Sequence, residues 1–382
     1  MVAGPATAVR TLAHGLANLG HTVMVVAPSQ TGKRYEEVDE NYSITRVRSL
    51  PLPYRKNIRI ATTYDRELRA IIKDFKPDII HVHTQLIVGL SAIAAAKHLK
   101  IPFVATNHVM PDNLINNVRL LMPVRKPATY LISEYGLLLY RGAYRIIVPT
   151  QSVIPMFEDG HNDVPLIAIS NGVDLSKFTP RKPKKYIYDA YSIPTDKKIV
   201  LWLGRLDNEK HLNITVSAFA KLCATHDDVH LVMTGTGNAV NALVDQVNEL
   251  SIADRVTFTG LVPEEDKYEI HRVADLFVVA SPNELQCLSM MESMACGKPV
   301  VAVDAGALGE LVHHDASGYL VTVDDIDGMA RMMAMILDDD ERRQRFGKVA
   351  LATACQHDVK KVMPRFVALY EEVLKEAAQT SK

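Results

Sequence analysis

Residues 275–303 read DLFVVASPNELQCLSMMESMACGKPVVAV. Two short β-branched runs flank a segment of helical character. DLFVVAS (275–281) reads as a strand ending near Ala280, and PVVAV (299–303) reads as the next one. A helix is expected from about Leu288 to Gly297, where glycine followed by Pro299 stops it. Strand, helix and strand in about 30 residues form a parallel crossover unit. Leu288, Met290, Met291 and Met294 then form the core face of the helix, which accounts for the apolar centre of the stretch.

The same unit repeats along the chain. HTVMVVAP (21–28), DIIHVHT (78–84), PFVAT (102–106) and YRIIVPT (144–150) read as strands, with helical patterns near 61–75, 88–99 and 128–142. The alternation then starts again with KIVLWLG (198–204), VHLVMTG (229–235), RVTFTG (255–260) and the two strands above. Two doubly wound α/β domains follow from this order. The break lies in NGVDLSKFTPRKPKKY (171–186), a turn and then a Pro- and Lys-rich linker. The expected domains are 1–172 and 173–358, and the amphipathic stretch from about 359 to 382 is expected to pack back on the first. The chain opens with GPATAVRTLAHGLANLGHTV (4–23), a loop and a helix. A doubly wound domain places an inner strand before that helix. The first domain is therefore expected to lack its first strand, and the true N-terminus is expected to be longer.

Totals bound the class. A length of 382 residues suits two domains, and 48% apolar residues with few aromatics fit a soluble α/β protein. No apolar run reaches the roughly 18 residues of a transmembrane helix, and MVAGPATAVR lacks signal-peptide layout. Cys223, Cys287, Cys296 and Cys355 show neither C-x-x-C nor zinc spacing, so reduced thiols in the cytoplasm are expected. The net charge of −1 hides an asymmetry. Residues 1–170 hold 19 Lys and Arg against 13 Asp and Glu, while the remainder holds 24 against 31. One basic half suggests a face that meets an anionic surface, and chance scatter of solvated charge explains the asymmetry as well.

Two carboxylates frame the opening stretch. Glu284 falls in the loop, and Glu292 falls about one turn into the helix, so they share no helix face. Both lie at the carboxyl edge of a strand around a helix N-terminus, where N–H groups and the dipole attract anions. Such a pair suits a ligand whose hydroxyls flank a phosphate, as in a sugar nucleotide. Taken alone, the spacing fits equally a solvated loop glutamate and a helix-start glutamate. LGRLDNEKHLN (203–213) also follows a strand, with Gly204 at the turn. Arg205 and Lys210 there suit a diphosphate, one as a planar fork and one as a point charge. They read equally as surface cations paired with Asp207 or Glu209. GTGNAV (235–240), with Gly235 at the turn, is an incomplete glycine fingerprint; a tight turn accounts for it, and backbone contact with nucleotide stays open.

Together these residues resemble a known family. Gly204-Arg205 with Lys210, Glu284-x7-Glu292, SMACGKPVVA (293–302), GALGELV (306–312) and SNGVD (170–174) are similar to the retaining glycosyltransferases of family 4. The likeness runs from about Gly4 to the C-terminal helix. It implies the GT-B fold, two Rossmann-like parallel-sheet domains facing a cleft, and a hexose transfer from a nucleoside diphosphate sugar with retained configuration. It implies that Arg205 and Lys210 hold the donor diphosphate, that Glu292 binds the ribose and that Glu284 touches the sugar. It places backbone N–H groups of Cys287, Leu288 and Ser289 on sugar or phosphate, and Gly4 in the loop approaching the phosphate. His108, in TNHVMPDN (106–113), matches a histidine near the donor sugar, whereas His81 and His83 read as structural. The family usually carries glycine where this chain has Cys287, which leaves the identity of the sugar in question.

No nucleophile with a dedicated base is visible, and the resemblance implies a front-side reaction without metal or further cofactor. DDID (324–327) contains Asp-x-Asp, and capping of a helix explains it. The acceptor is expected on the first domain. Residues 46–73 hold eight Lys and Arg against two acids, and 114–145 interleave Leu, Met and Tyr with Arg119, Arg125, Lys126, Arg141 and Arg145. That composition suits an anionic lipid surface, as it does a core helix with snorkelling cations. TNHVMPDN and NELQCLS resemble bacterial diacylglycerol glucosyltransferases most. A lipid acceptor, a peripheral place on the inner face of the cell membrane and a UDP-glucose type of donor are therefore expected. The alternatives are a GDP-mannose-dependent transferase with a soluble or phosphoinositol acceptor, and a non-catalytic nucleotide-sugar sensor. No nucleic-acid partner is expected.

Overall fold

A computed structural model of the chain describes residues 4–52, 55–62, 65–108, 139–157 and 163–380. Their contacts divide into two units. The first holds residues 5–108, 139–172 and 359–380, and the second holds Gly4 and 173–358.

The first unit opens with helix α1 (Gly4–Asn18), which buries Ala8, Leu12, Ala13 and Leu16, the spacing of one helix face. Strands β1 (Met24–Pro28), β2 (Tyr35–Asp39) and β3 (Tyr42–Val47) form a sheet in the order β1-β3-β2, and β4 (Ser49–Leu52) pairs with β5 (Arg55–Ala61). Helix α2 (Asp65–Phe75), β6 (Ile80–Val82), α3 (Ile87–Leu99), β7 (Phe103–Thr106), β8 (Ile146–Val148) and β9 (Leu166–Ala168) follow. β6 to β9 form a parallel four-stranded sheet in chain order. Among the described residues no strand precedes α1. β1 is an edge strand of the first sheet and β6 an edge strand of the four-stranded one. Among the described residues each has a partner strand on one side only. β1 is accordingly part-exposed along its whole length, while β8 is fully buried.

The C-terminal helix Val359–Thr380 belongs to this unit. Val362, Met363, Phe366, Leu369 and Val373 repeat at helical spacing and pack with Leu12, Leu16, Val104, Ile147 and Ile169. Burying each such side chain stabilises the unit by about 1.5–3 kcal/mol. Arg145 anchors the same helix through Glu372 at 2.6 Å and Glu376 at 2.5 Å.

The basic stretch 46–73 is not a uniform charged face. Arg46 is bonded to Glu37 at 2.7 Å and Arg59 to Ser49 at 2.9 Å, whereas Arg48, Arg66 and Lys73 are exposed. The apolar side of α2 (Leu68, Ile71 and Ile72) is buried in the core, so α2 offers only its charges outward. The side chains of Arg55 and Lys56 lie outside the described residues. So do residues 109–113 of TNHVMPDN, most of the helix expected over 128–142, and Arg119, Arg125 and Lys126.

The second unit is one parallel sheet of six strands: β10 (Lys198–Leu203), β11 (Val229–Thr234), β12 (Val256–Gly260), β13 (Leu276–Val279), β14 (Val300–Val303) and β15 (Gly318–Val321). Their order is β12-β11-β10-β13-β14-β15. β11, β13 and β14 are buried at every residue, as expected of parallel strands covered on both faces, and this is why LFVV and VVAV read as continuous apolar runs. Chain order reverses between β10 and β13, the switch point at which such sheets bind ligands beyond the strand ends. The Asp-x-Asp run caps a helix: Asp325 accepts a 2.8 Å bond from the Gly328 N–H at the start of Ile326–Leu337.

Candidate functional site

The carboxyl ends of β10 and β13 carry the loops singled out in the sequence. After β10 come Gly204, Arg205 and, in a short 3-10 turn, Lys210. After β13 come Glu284 and then the helix Leu288–Ala295, which begins where the sequence placed it. The two loops meet. Lys210 Nζ donates to Glu284 Oε1 at 2.7 Å, and Ser281 Oγ donates to the Glu209 carbonyl at 3.3 Å. Glu284 is only 7% exposed. Burial opposes the Lys210 charge, but the Glu284 carboxylate outweighs it and holds the ammonium above its ordinary value. Arg205 forks onto Asp207 and Glu209. Both acids are buried, while about a third of the Arg205 side chain stays open. The cations are thus aimed by acids that also neutralise them.

No side chain caps Leu288–Ala295. The first N–H groups of a helix have no partner within it, so Leu288 and Ser289 present donors beside Lys210. Cys287 sits just before them at φ 55 and ψ 76. A left-handed conformation costs a residue with a Cβ about 1–2 kcal/mol. Burial pushes its thiol up to about 12, so it stays protonated. Cys287→Gly is therefore expected to raise stability by about 1 kcal/mol, measurable by urea denaturation; an unchanged midpoint would show that the strain is relieved elsewhere.

Glu292 is one turn into the helix and 5% exposed. Lys267 Nζ donates to its Oε1 at 2.5 Å, and His271 Nε2 lies 3.3 Å from its Oε2. His271 Nδ1 bonds Ser293 Oγ at 2.7 Å. Burial would raise the Glu292 carboxyl, but Lys267 and His271 hold it below the usual carboxylate range. Lys267 also lies 5.3 Å over the Phe178 ring. Sequence reading missed Lys267 and His271, because PEEDKYEIHRV (263–273) has the composition of a solvated helix.

Two glycines brace these loops. A Cβ at Gly306, whose φ is 54, would lie 2.9 Å from the Glu284 carbonyl oxygen, and the Ala307 N–H bonds that same oxygen at 3.1 Å. A Cβ at Gly237 would lie 2.2 Å from the Leu206 carbonyl oxygen. Asn238 N–H donates to Asp207 at 2.8 Å and Ala239 N–H to Leu206 at 2.8 Å. GTGNAV therefore supports the Arg205 loop, with Gly235 ending β11 one strand away from the switch point.

Two strand-end loops at a switch point, two aimed cations, an open helix N-terminus and an oriented carboxylate suit a nucleoside diphosphate carrying a further group. Residues 184–352 match the family described as Glycosyl transferases group 1, and residues 2–177 match Glycosyltransferase Family 4. An alpha-monoglucosyldiacylglycerol synthase of Streptococcus pneumoniae is 30% identical over 84% of this chain and 72% of its own length. The chain belongs to the family 4 glycosyltransferases.

A GDP-mannose-dependent alpha-mannosyltransferase of Mycolicibacterium smegmatis is 26% identical over 94% of this glycosyltransferase and 91% of the relative. A solved sucrose-phosphate synthase of Thermosynechococcus elongatus has a TM-score of 0.76 at 21% identity, over 96% of this chain and 93% of that one. The architecture is GT-B. In the second unit of this glycosyltransferase, Gly204, Arg205, Lys210, Glu284, Cys287, Leu288 and Ser289 gather at the β10 and β13 ends. Glu292 lies behind them with Lys267. His108 belongs to the first unit, whereas Gly4, the first residue of α1, is grouped by its contacts with the second. Gly4 is exposed at the start of α1, and a Cβ there would meet nothing within 4 Å. His108 follows β7, with its Nε2 3.0 Å from His83 Nδ1. Burial lowers its imidazole to about 4, so at neutral pH it offers a hydrogen bond and no charge.

Proposed function

We propose that this glycosyltransferase moves a hexose from a nucleoside diphosphate sugar, of the UDP-glucose type, to diacylglycerol or a related membrane lipid. The single observation that carries the donor half is the pairing of Lys210 with Glu284 beside the open N-terminus of Leu288–Ala295. The diphosphate takes the place of Glu284 on Lys210 and lies against Arg205 and the N–H groups of Leu288 and Ser289. Glu284, released, accepts from a hydroxyl of the sugar, and Glu292 accepts from the ribose. His108, which the family resemblance puts near a donor sugar, is available as a neutral hydrogen-bonding group. As the bond from sugar to diphosphate lengthens, negative charge grows on the leaving phosphate, and these donors stabilise it most at that point. The departing phosphate oxygen takes the acceptor hydroxyl proton, and the acceptor attacks from the same face, so configuration is retained. Arg205, Lys210 and the helix end supply the countercharge that a metal supplies in other transferases.

The acceptor half rests on the relative whose name places it on diacylglycerol, and on the exposed Arg48, Arg66 and Lys73 of the first unit. Among the described residues no helix is long and apolar enough to cross a membrane. A peripheral place on an anionic cytoplasmic leaflet is part of this reading, and each nearby cation would contribute about 1 kcal/mol there. The GDP-mannose-dependent relative favours the second reading, a mannosyl transfer. One experiment separates them. Vesicles containing diacylglycerol, with or without anionic phospholipid, are incubated with the protein and labelled UDP-glucose or GDP-mannose. The expected result is labelled glycolipid from UDP-glucose, several-fold more on anionic vesicles. Label from GDP-mannose alone would establish the second reading, and sugar release into no lipid would remove the acceptor assignment.

A further inference from the structure

Three histidines line the carboxyl edge of β6 and β7. His81 is fixed from both sides: its Nδ1 lies 2.6 Å from the Tyr370 hydroxyl on the C-terminal helix, and its Nε2 lies 2.7 Å from Thr106 Oγ1. The His83 ring rests on His81, with centroids 4.0 Å apart. His83 in turn reaches His108: Nδ1 to Nε2 is 3.0 Å, with the ring planes inclined by only 20°. His83 is therefore held by one ring and bonded to the next. Burial lowers His81 to about 3, His83 well below its ordinary value and His108 to about 4. Between two neutral imidazoles a single proton lies on the shared bond.

We propose that His83 is a positioning residue whose hydrogen bond to His108 Nε2 selects the tautomer of His108, and thereby the role His108 Nδ1 offers to a bound sugar. A histidine's two nitrogens are not independent, because the bond made by one fixes the proton state of the other. When His83 Nδ1–H donates, His108 keeps its proton on Nδ1 and donates outward. When His108 Nε2–H donates, its Nδ1 accepts from a sugar hydroxyl. The consequence for transfer rests on the reading of His108 given above. The tautomer claim does not.

The test uses the full chain labelled with 15N-histidine. Ring 15N–1H correlation spectra at pH 7 give the tautomer, with His108 assigned from its loss in His108→Gln. The wild type is expected to show His108 in one tautomer. In His83→Phe, which keeps the ring and removes the bond, both tautomers are expected. kcat for glycosyl transfer should fall about a hundredfold, the scale on which a misdirected active-site group acts, while the KM for the donor changes less than about twofold. His83→Asn, whose amide stands where Nδ1 stood and can bond His108, should restore one tautomer and most of kcat. If the phenylalanine variant does not fold, His83→Leu, which has no polar side-chain atom, takes its place. An unchanged single tautomer in the variant lacking the bond overturns the proposal. A mixed tautomer with unchanged kcat overturns its link to transfer. Because the spectra need no substrate, failure of the tautomer claim is distinguishable from failure of the glycosyl-transfer reading.

Discussion

Lys210→Met is expected to lower kcat/KM about 10²–10³-fold, the range found when one preorganised donor to a developing oxyanion is removed. The variant has a second effect that must be separated from the first. Lys210 is the partner of Glu284, and both are nearly buried. Removing one member of a buried ion pair leaves the other uncompensated and destabilises by about 3–5 kcal/mol. Lys210→Met/Glu284→Gln removes both charges, so it should regain stability while staying inactive. Glu284→Gln alone gives the opposite sign in binding. The carboxylate occupies Lys210 in the ligand-free protein, so its loss should tighten nucleoside diphosphate affinity by about tenfold, one charge-assisted hydrogen bond no longer competing, even as transfer falls. Affinity measured by calorimetry and rate by labelled-sugar transfer complete the cycle. Equal Kd values in wild type and Glu284→Gln would mean that the diphosphate does not compete for Lys210.

The same coupling shows what could be read from sequence and what could not. Arg205, Lys210, Glu284 and Glu292 stood out because strand-end loops have recognisable turn residues and because the parallel strands beneath them are buried on both faces. The start of the helix at Leu288 was legible from its apolar spacing and its stop at Gly297. The antiparallel pairs β2–β3 and β4–β5 were not read. In YEEVD (35–39) the usual alternation is inverted: Val38 is 75% exposed, while Glu37 and Asp39 turn inward to meet Arg46 and Arg10. An edge strand whose inward acids have partners has no apolar period to read. His83 was read as structural because it falls within a predicted strand, and its bond to His108, 25 residues on, depends on a register that sequence does not state. Lys267 and His271 were missed for the reason that makes them useful: their burial comes from packing on the next helix, not from their own pattern.

Glu292→Gln should weaken nucleoside diphosphate binding by about ten- to a hundredfold, one charge-assisted hydrogen bond to the ribose being worth about 1.5–3 kcal/mol. Calorimetric titration of UDP, GDP and ADP into wild type and variant reads this directly and also names the donor base. Glutamine keeps the shape of the site, whereas Glu292→Ala would leave Lys267 unpaired beside His271. An unchanged Kd in the glutamine variant would remove Glu292 from the ribose. Lys267→Met carries the argument a step further, because Lys267 is not expected to touch the nucleotide. In the wild type, burial raises the Glu292 carboxyl, and the Lys267 charge with the His271 hydrogen bond more than offsets it. Without Lys267 the burial effect prevails and the carboxyl rises. A protonated Glu292 loses an acceptor, so nucleotide affinity in Lys267→Met should fall as pH falls from 8 to 6. The wild type, whose carboxylate is held below the usual range, should bind evenly over the same interval. A pH-independent Kd in Lys267→Met would show that His271 alone suffices to keep Glu292 ionised, and would move the orienting role to that residue.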